Sequence, residues 1–470
     1  MKESGSESLA ETMGTDGGKK GLVLVTVLWV VMVLMIIVAV LGRKSRLDAK
    51  VCFARMEGLR CKWACRAGIE TAIGVLNEDE RESDCLTDLW SDNDEDFNDI
   101  ALEKCSFNVR VIDEASKLNI NTATKGQLLG LPEMLDEIAD AIIDWRDKND
   151  TPSEAGAESG YYEELPFGYM ARNGPFRTIR ELLLVKDVTE ELFYGEDTNF
   201  NGQLDYNERD GDKSPPADDA DSELDLGWIE YLTCYSYDSN KDASGNARIN
   251  INEANERQLE RSLGIRRSQA QWIVEERPKN GYKSIGDLIS NRSPRTPQRS
   301  SQSNSQSGSQ SSSQKSSQNN SQSSSQRNSD QAEPLDLQTF YQIVDKITIS
   351  SEEKVPGRVN INTAPKTVLA ALLGGDDTAD QIAENIITYR ESLMYGMESI
   401  AEVMQVGSMN IDSFKKIVDF ITTRSNVFTI RCIATTDRNG LSGATLETEA
   451  VVDRSSTPCK ILYWYQGTSN

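Results

Sequence analysis

Between Leu22 and Leu41 the chain runs LVLVTVLWVVMVLMIIVAVL without a single charged side chain. At a helical rise of about 1.5 Å per residue, a run of this length reaches about 30 Å, the thickness of a bilayer's hydrocarbon core. A secretory signal would be shorter and would end in small residues, whereas Gly42, Arg43 and Lys44 follow here directly, so the segment reads as a retained anchor. Lys19 and Lys20 precede it and Arg43, Lys44 and Arg46 follow, so charge alone does not set its orientation. Beyond it Phe53, Met56, Leu59, Trp63, Ala67 and Ile73 recur at near-helical spacing among Arg and Lys, which predicts that the membrane helix continues as an amphipathic stem.

The rest of the 470 residues is more than one ordinary domain needs. A formal charge of -25 argues against nucleic acid and favours cations as partners. The absence of histidine removes Ser/His/Asp and Cys/His nucleophiles and every imidazole zinc site. Nothing in the sequence identifies the two opposed carboxylates of a glycosidase, and its acidic clusters lie in calcium-like or solvated contexts, so no enzyme is expected. The cysteines, at 52, 61, 65, 85, 105, 234, 432 and 459, contain no CxxC pair and leave any disulfide pairing open. Cys61 and Cys65 share a helix face one turn apart, a poor geometry for a bond between them.

One pattern occurs three times: Leu118–Ala123 (LNINTA), Ile249–Ala254 (ININ-EA) and Val359–Ala364 (VNINTA). In each, apolar residues alternate with Asn and lead into a helix with a polar cap. A Leu-Gly turn and a second helix follow, then a closing element, Phe176–Leu182, Tyr282–Leu288 or Met397–Val403, so the units are internal repeats of helix-hairpin-helix or SAM-like type. DNA-binding hairpins of this class need Gly-apolar-Gly for close backbone approach to phosphate. Gly130-Leu131-Pro132, Gly264-Ile265-Arg266 and Gly374-Gly375-Asp376 lack the second Gly or displace it. Residues 291–334 are dominated by Ser, Gln and Asn, too polar for a core, and predict a disordered insertion. After Asn426, VFTIRCIATT, ATLETEAVVDR and CKILYWYQ predict three closing strands.

The sharpest local motif is Asp197-Thr-Asn199-Phe-Asn201-Gly202-Gln203-Leu204-Asp205-Tyr-Asn-Glu208. It has the spacing of an EF-hand loop for Ca2+: side-chain oxygens from Asp197, Asn199 and Asn201, a carbonyl from Gln203, Asp205 directly or through water, and a bidentate Glu208. The bland reading is a solvated acidic turn. Pro215 and Pro216 preclude a regular exiting helix, which favours a lone structural loop over a sensor pair.

Taken together, the basic stretch and Gly21 before the apolar helix, DEASKLNINTA, DWRDKND with GAE, NGPFRTIRELLLV, RVNINTAPKTVLAAL and the closing strands resemble the K-type minor pseudopilins, general secretion pathway protein K. The resemblance covers most of the chain. It implies prepilin peptidase cleavage between Gly21 and Leu22, against the alternative of an unprocessed anchor. It also matches the presence of Thr26, not Glu, at the fifth position after that site. It implies that Asp147, Asp150 and Glu158 are calcium ligands, the alternative being an acidic helix end. The expected fold is α+β: a pilin-like transmembrane and stem helix with a small antiparallel sheet, interrupted by a large helical insertion. The expected divisions are a leader (1–21), membrane helix (22–42), stem and start of the pilin-like domain (43–112), helical insertion with calcium loop (113–290), Ser/Gln insertion (291–334), a further helical unit (335–425) and closing strands (426–470). The implied function is that of a type II secretion minor pseudopilin. It would sit in the inner membrane with a periplasmic body, initiating pseudopilus assembly at the tip with the I and J types and meeting secretion machinery and exported substrates. The competing class is a membrane-anchored helix-hairpin-helix protein of DNA binding or uptake.

Overall fold

The structure is a computed structural model that describes residues 17–79, 82–197, 203–211, 213–214, 216, 218, 221–289, 332–437 and 442–467. The first element, α1 (Gly17–Glu78), is one continuous helix of 62 residues. Among the described residues it is the one helix long and apolar enough to cross a membrane, and no residue of its most apolar stretch is buried. Further along, most of the apolar stripe expected of the stem stays outside: Phe53, Met56, Leu59, Trp63 and Ala67 are exposed, Trp63 by 70%, while Ile73 is buried. The buried face is Cys61, Ala64, Cys65, Ile69, Ala72, Ile73 and Leu76. Small side chains let the helix lie close to the sheet, and Ala, Cys and Gly interspersed with Ile69, Ile73 and Leu76 give only a weak hydrophobic periodicity to read.

That sheet is antiparallel, in the order β1 (Ile100–Leu102), β2 (Cys105–Asp113), β3 (Val427–Asp437), β4 (Ser442–Asp453) and β5 (Lys460–Gly467). One face, with Phe107, Val109, Val111, Phe428, Ile430, Cys432, Ala434, Ala450 and Val452, packs on α1. The tightest approach is at Gly68, where an added Cβ would lie 2.7 Å from Cys432 Sγ and 2.9 Å from Phe107 and Val109. β2 and β3 are neighbours in the sheet, yet the chain between them makes the whole helical body.

Within that body each Asn-containing motif forms a two-residue strand paired in parallel with a strand from the end of its own unit. The pairs are Leu118–Asn119 with Leu232–Thr233, Ile249–Asn250 with Ile347–Thr348, and Val359–Asn360 with Ile421–Thr422. The first Asn of each motif accepts from the backbone N–H of the second, at 2.9–3.0 Å, closing an Asx turn. The second Asn bridges the backbone N–H and carbonyl of the closing element: Asn121 with Phe176, Asn252 with Tyr282 and Asn362 with Met397. An Arg from the second helix then satisfies carbonyls of the motif: Arg146 for Ile120 and Ala123, Arg277 for Ala254, and Arg390 for Ile361 and Ala364. Each closing element carries a capping box, Thr178 with Glu181, Ser284 with Asp287 and Ser399 with Glu402.

Buried ion pairs tie the units to each other and to the sheet. Burial alone would raise the Asp238 carboxyl, but Arg248 at 2.9 Å and Arg358 at 3.4 Å outweigh it and hold it at about 2. On the sheet face away from α1, Arg431 pairs with Glu230 at 2.7 Å, and Thr429 donates to Glu114 at 2.6 Å.

Candidate metal centre

Helix Asp136–Arg146 delivers Asp144 from its last turn and Asp147 from its C-cap, and Glu158 stands at the N-cap of helix Ser159–Glu163. One oxygen from each of Asp144, Asp147 and Glu158 lies within 4.8 Å of the others. Two carboxylates at a helix C-terminus face the negative end of its dipole, an unfavourable placement that a cation would reverse. Asp144 is completely buried and accepts from Ser153 N at 2.9 Å and Ser153 Oγ at 2.6 Å. Gly156 makes the room: a Cβ there would sit 1.9 Å from Asp144 Oδ2.

Glu158 is 5% exposed, and neither of its carboxylate oxygens has a hydrogen-bond partner among the described residues. Burial, then the charges of Asp144, Asp147 and Asp150, push its carboxyl up to about 7. An orphaned, buried acidic side chain aimed at two other carboxylates fits a hard cation with oxygen ligands. Of the residues singled out by resemblance, Asp147 and Glu158 come together. Asp150 is exposed and acts on Glu158 through its charge, outside the group of three. Asp144 heads the same acidic stretch but was not among the ligands the resemblance implied, although its position one helical turn before Asp147 in Asp144-Trp-Arg-Asp147 places both on one face.

In the EF-hand-like loop, Asp197 and Glu208 are buried, at 3% and 1% exposure. Glu208 closes a one-turn 3-10 helix, Tyr206–Glu208, and accepts from Asp205 N at 2.9 Å. Burial raises the Glu208 carboxyl, the Asp205 N–H opposes this, and the charges of Asp197 and Asp205 add to the rise. Gln203 is exposed, and Asn199 and Asn201 lie outside the described residues. After Glu208, the described residues form no α-helix before Trp228–Tyr231.

At the other end, Leu22 lies within α1, exposed, and Gly21 is in the same unbroken helix. Thr26 Oγ donates to the Val23 carbonyl at 2.9 Å, so its hydroxyl is satisfied by its own helix.

Residues 105–194 and, separately, residues 359–422 each match a family described as type II secretion system (T2SS), protein K. The chain is also similar to a chain of the crystal structure of the GspK-GspI-GspJ complex from the enterotoxigenic Escherichia coli Type 2 Secretion System. That similarity covers 89% of this chain and 99% of that one, at 13% identity and a TM-score of 0.44. No curated protein sequence matches the chain. The first matched segment carries β2, the first Asn motif and the acidic group, and the second carries the third unit from its Asn motif to its paired closing strand; together they span less than half of the chain.

Proposed function

We propose that the chain is a minor pseudopilin acting at the tip of a type II secretion pseudopilus, where it helps initiate assembly for protein export. The match of two separate segments to protein K carries this reading. α1 anchors the protein in the inner membrane through Leu22–Leu41 and presents the body to the periplasm. Prepilin peptidase cuts between Gly21 and Leu22. A Glu at the fifth mature position would bring a charge into the bilayer; Thr26 brings none, which suits a first subunit with no predecessor to neutralise it. The partners are minor pseudopilins of the I and J types, then the secretion machinery and exported substrates.

Calcium is the cofactor of this reading. Asp144, Asp147 and Glu158 hold one ion, and Asp197, Asn199, Asn201, Gln203, Asp205 and Glu208 a second. The ions neutralise buried carboxylates and stiffen the first unit. The chain works by assembly, not catalysis, and nothing in the comparisons supports the nucleic-acid alternative.

The test is gel filtration of the full chain in detergent, with calcium or chelator, mixed with I-type and J-type minor pseudopilins or with duplex DNA. A calcium-supported complex with the pseudopilins is expected. Binding to DNA with no pseudopilin complex would overturn the assignment.

A further inference from the structure

Cys65 in α1 and Cys432 in β3 meet in the core between helix and sheet, both essentially without exposure. Cys65 Sγ donates to the carbonyls of Cys432 and Leu446, each at 3.4 Å. Cys432 Sγ points at α1 within one turn of Cys65, since it is the atom that a Cβ on Gly68 would strike. The neighbouring Cys432 thiol draws Cys65 below the ordinary thiol range, and Cys65 in turn lifts Cys432 above it. Two thiols brought together between one turn of the stem helix and the strand it packs on are placed to be joined by a bond between them.

We propose that Cys65 and Cys432 form a disulfide that clasps the stem helix to the central strand of the sheet. The inference rests on the periplasmic orientation proposed above, because that compartment is oxidising. The oxidant is a protein disulfide met while the body is still folding. The Cys65 thiolate attacks one of its sulfurs, forming a mixed disulfide and expelling one thiolate. The Cys432 thiolate then attacks Cys65 Sγ, forming the Cys65–Cys432 bond and expelling the second. The oxidant is reduced to a dithiol by two electrons and takes up the two protons that the cysteines lose. Once the core closes, the bond is out of reach of soluble thiols. It fastens the helix that carries the membrane anchor to the strand that every other strand of the sheet is built around.

The sequence makes the pair directly assignable. Trypsin releases Cys65 in Trp63–Arg66, free of Cys61, and Cys432 in Cys432–Arg438. The full chain in membranes is acid-quenched, blocked with maleimide in denaturant without reductant, digested and analysed by mass spectrometry. In parallel, intact spheroplasts are treated with a membrane-impermeant maleimide to label Cys52, which is exposed just beyond the apolar run. The expected result is a linked Trp63–Arg66 and Cys432–Arg438 species that outnumbers the blocked forms and disappears with dithiothreitol, together with Cys52 labelled from outside. Cys52 labelled but both peptides recovered blocked would overturn the bond and leave the orientation standing. Cys52 unlabelled would overturn the orientation and the bond with it, and linkage of Cys65 to any other cysteine would overturn the pairing.

Discussion

The Asn362 side chain accepts from the Met397 backbone N–H at 2.8 Å and donates to the Met397 carbonyl at 2.9 Å, wholly inside the protein. One amide thus closes the third unit by standing in for a missing strand partner. Its removal leaves a donor and an acceptor of the main chain buried and unpaired. Asn362→Ala is therefore expected to cost about 2–4 kcal/mol, two desolvated groups at about 1–3 each with partial relief by water. Asn252→Ala, at a half-buried position of the same design, should cost less. Urea unfolding of the two variants checks the order, and equal costs would refute the argument from burial.

The same reasoning applies to the helix-sheet contact at Gly68. Gly68→Val forces a side chain into the space of Cys432 Sγ, Phe107 and Val109, with a loss of at least about 1–3 kcal/mol from overpacking. Gly74 lies on the same helix with nothing within 4 Å of an added Cβ. Gly74→Ala should instead gain up to about 1 kcal/mol from helix propensity. Thermal unfolding of the pair gives shifts of opposite sign if the close approach is what Gly68 supplies.

Much of this architecture was legible in the chain, and what was not has a physical reason. The Asn motifs announced three repeats because each needs an Asx turn and a side-chain bridge at the same two positions, which Asn119 and Asn121, Asn250 and Asn252, and Asn360 and Asn362 supply. The closing strands were legible from alternation, because β3 sets apolar side chains such as Phe428, Ile430 and Cys432 against α1 and polar ones such as Thr429 and Arg431 on the other face. The stem's packed face was not, because Ala64, Cys65, Gly68 and Ala72 work by being small, while the large apolar residues Phe53, Leu59 and Trp63 face outward. Nor could the sequence show the two-residue strands Leu232–Thr233, Ile347–Thr348 and Ile421–Thr422, whose pairing partners are supplied by tertiary contact. Of the acidic group, Asp147 and Glu158 were legible by resemblance. Asp144 carried a helical-turn spacing that was there to be read, and Asp150 lay close in sequence yet turned outward.

Ion pairs that dock the first unit on the sheet give a third expectation. Arg431 is buried and reaches Glu230 at 2.7 Å and Glu449 at 3.5 Å. Burial would raise Glu230, but Lys117 and Arg431 reverse this and hold it at about 2. Arg431→Ala strands that carboxylate, at a cost of about 3–5 kcal/mol, whereas Arg431→Ala with Glu230→Gln should recover part of the loss. A double-mutant cycle in urea measures the coupling, and additive losses would show that the pair contributes nothing beyond its separate members.

Calcium should raise the unfolding temperature of the full chain in detergent, since a ligand of the folded state at about 100 times its Kd adds about 2.7 kcal/mol. Glu158→Gln and Glu208→Gln are each expected to remove part of that gain and, together, all of it. Neither should lower stability in chelator, where each removes a buried charge whose cost the protein otherwise bears. Calorimetry with and without calcium decides the matter: a gain that survives both substitutions would place the ion elsewhere.

The pH dependence of stability follows from Glu158 and changes sign with the metal. Its carboxyl sits near 4.5 in the unfolded chain and is pushed up to about 7 in the folded one by burial and by the neighbouring Asp144, Asp147 and Asp150. Folding without metal therefore takes up a proton between those values. The contribution from this group is fullest below about pH 4.5 and is lost as pH rises through 7, by up to about 3 kcal/mol. Calcium requires the ionised carboxylate, so its binding expels the same proton and strengthens as pH rises toward 7 and beyond. Urea midpoints taken from pH 5 to pH 8 should thus fall in chelator and hold or rise in calcium. Glu158→Gln, which cannot titrate, should flatten the chelator profile toward that of the remaining groups and abolish the divergence between the two conditions. Parallel profiles for the wild-type chain in calcium and in chelator would mean that Glu158 does not bind the ion, and a flat chelator profile that it does not carry the perturbed proton.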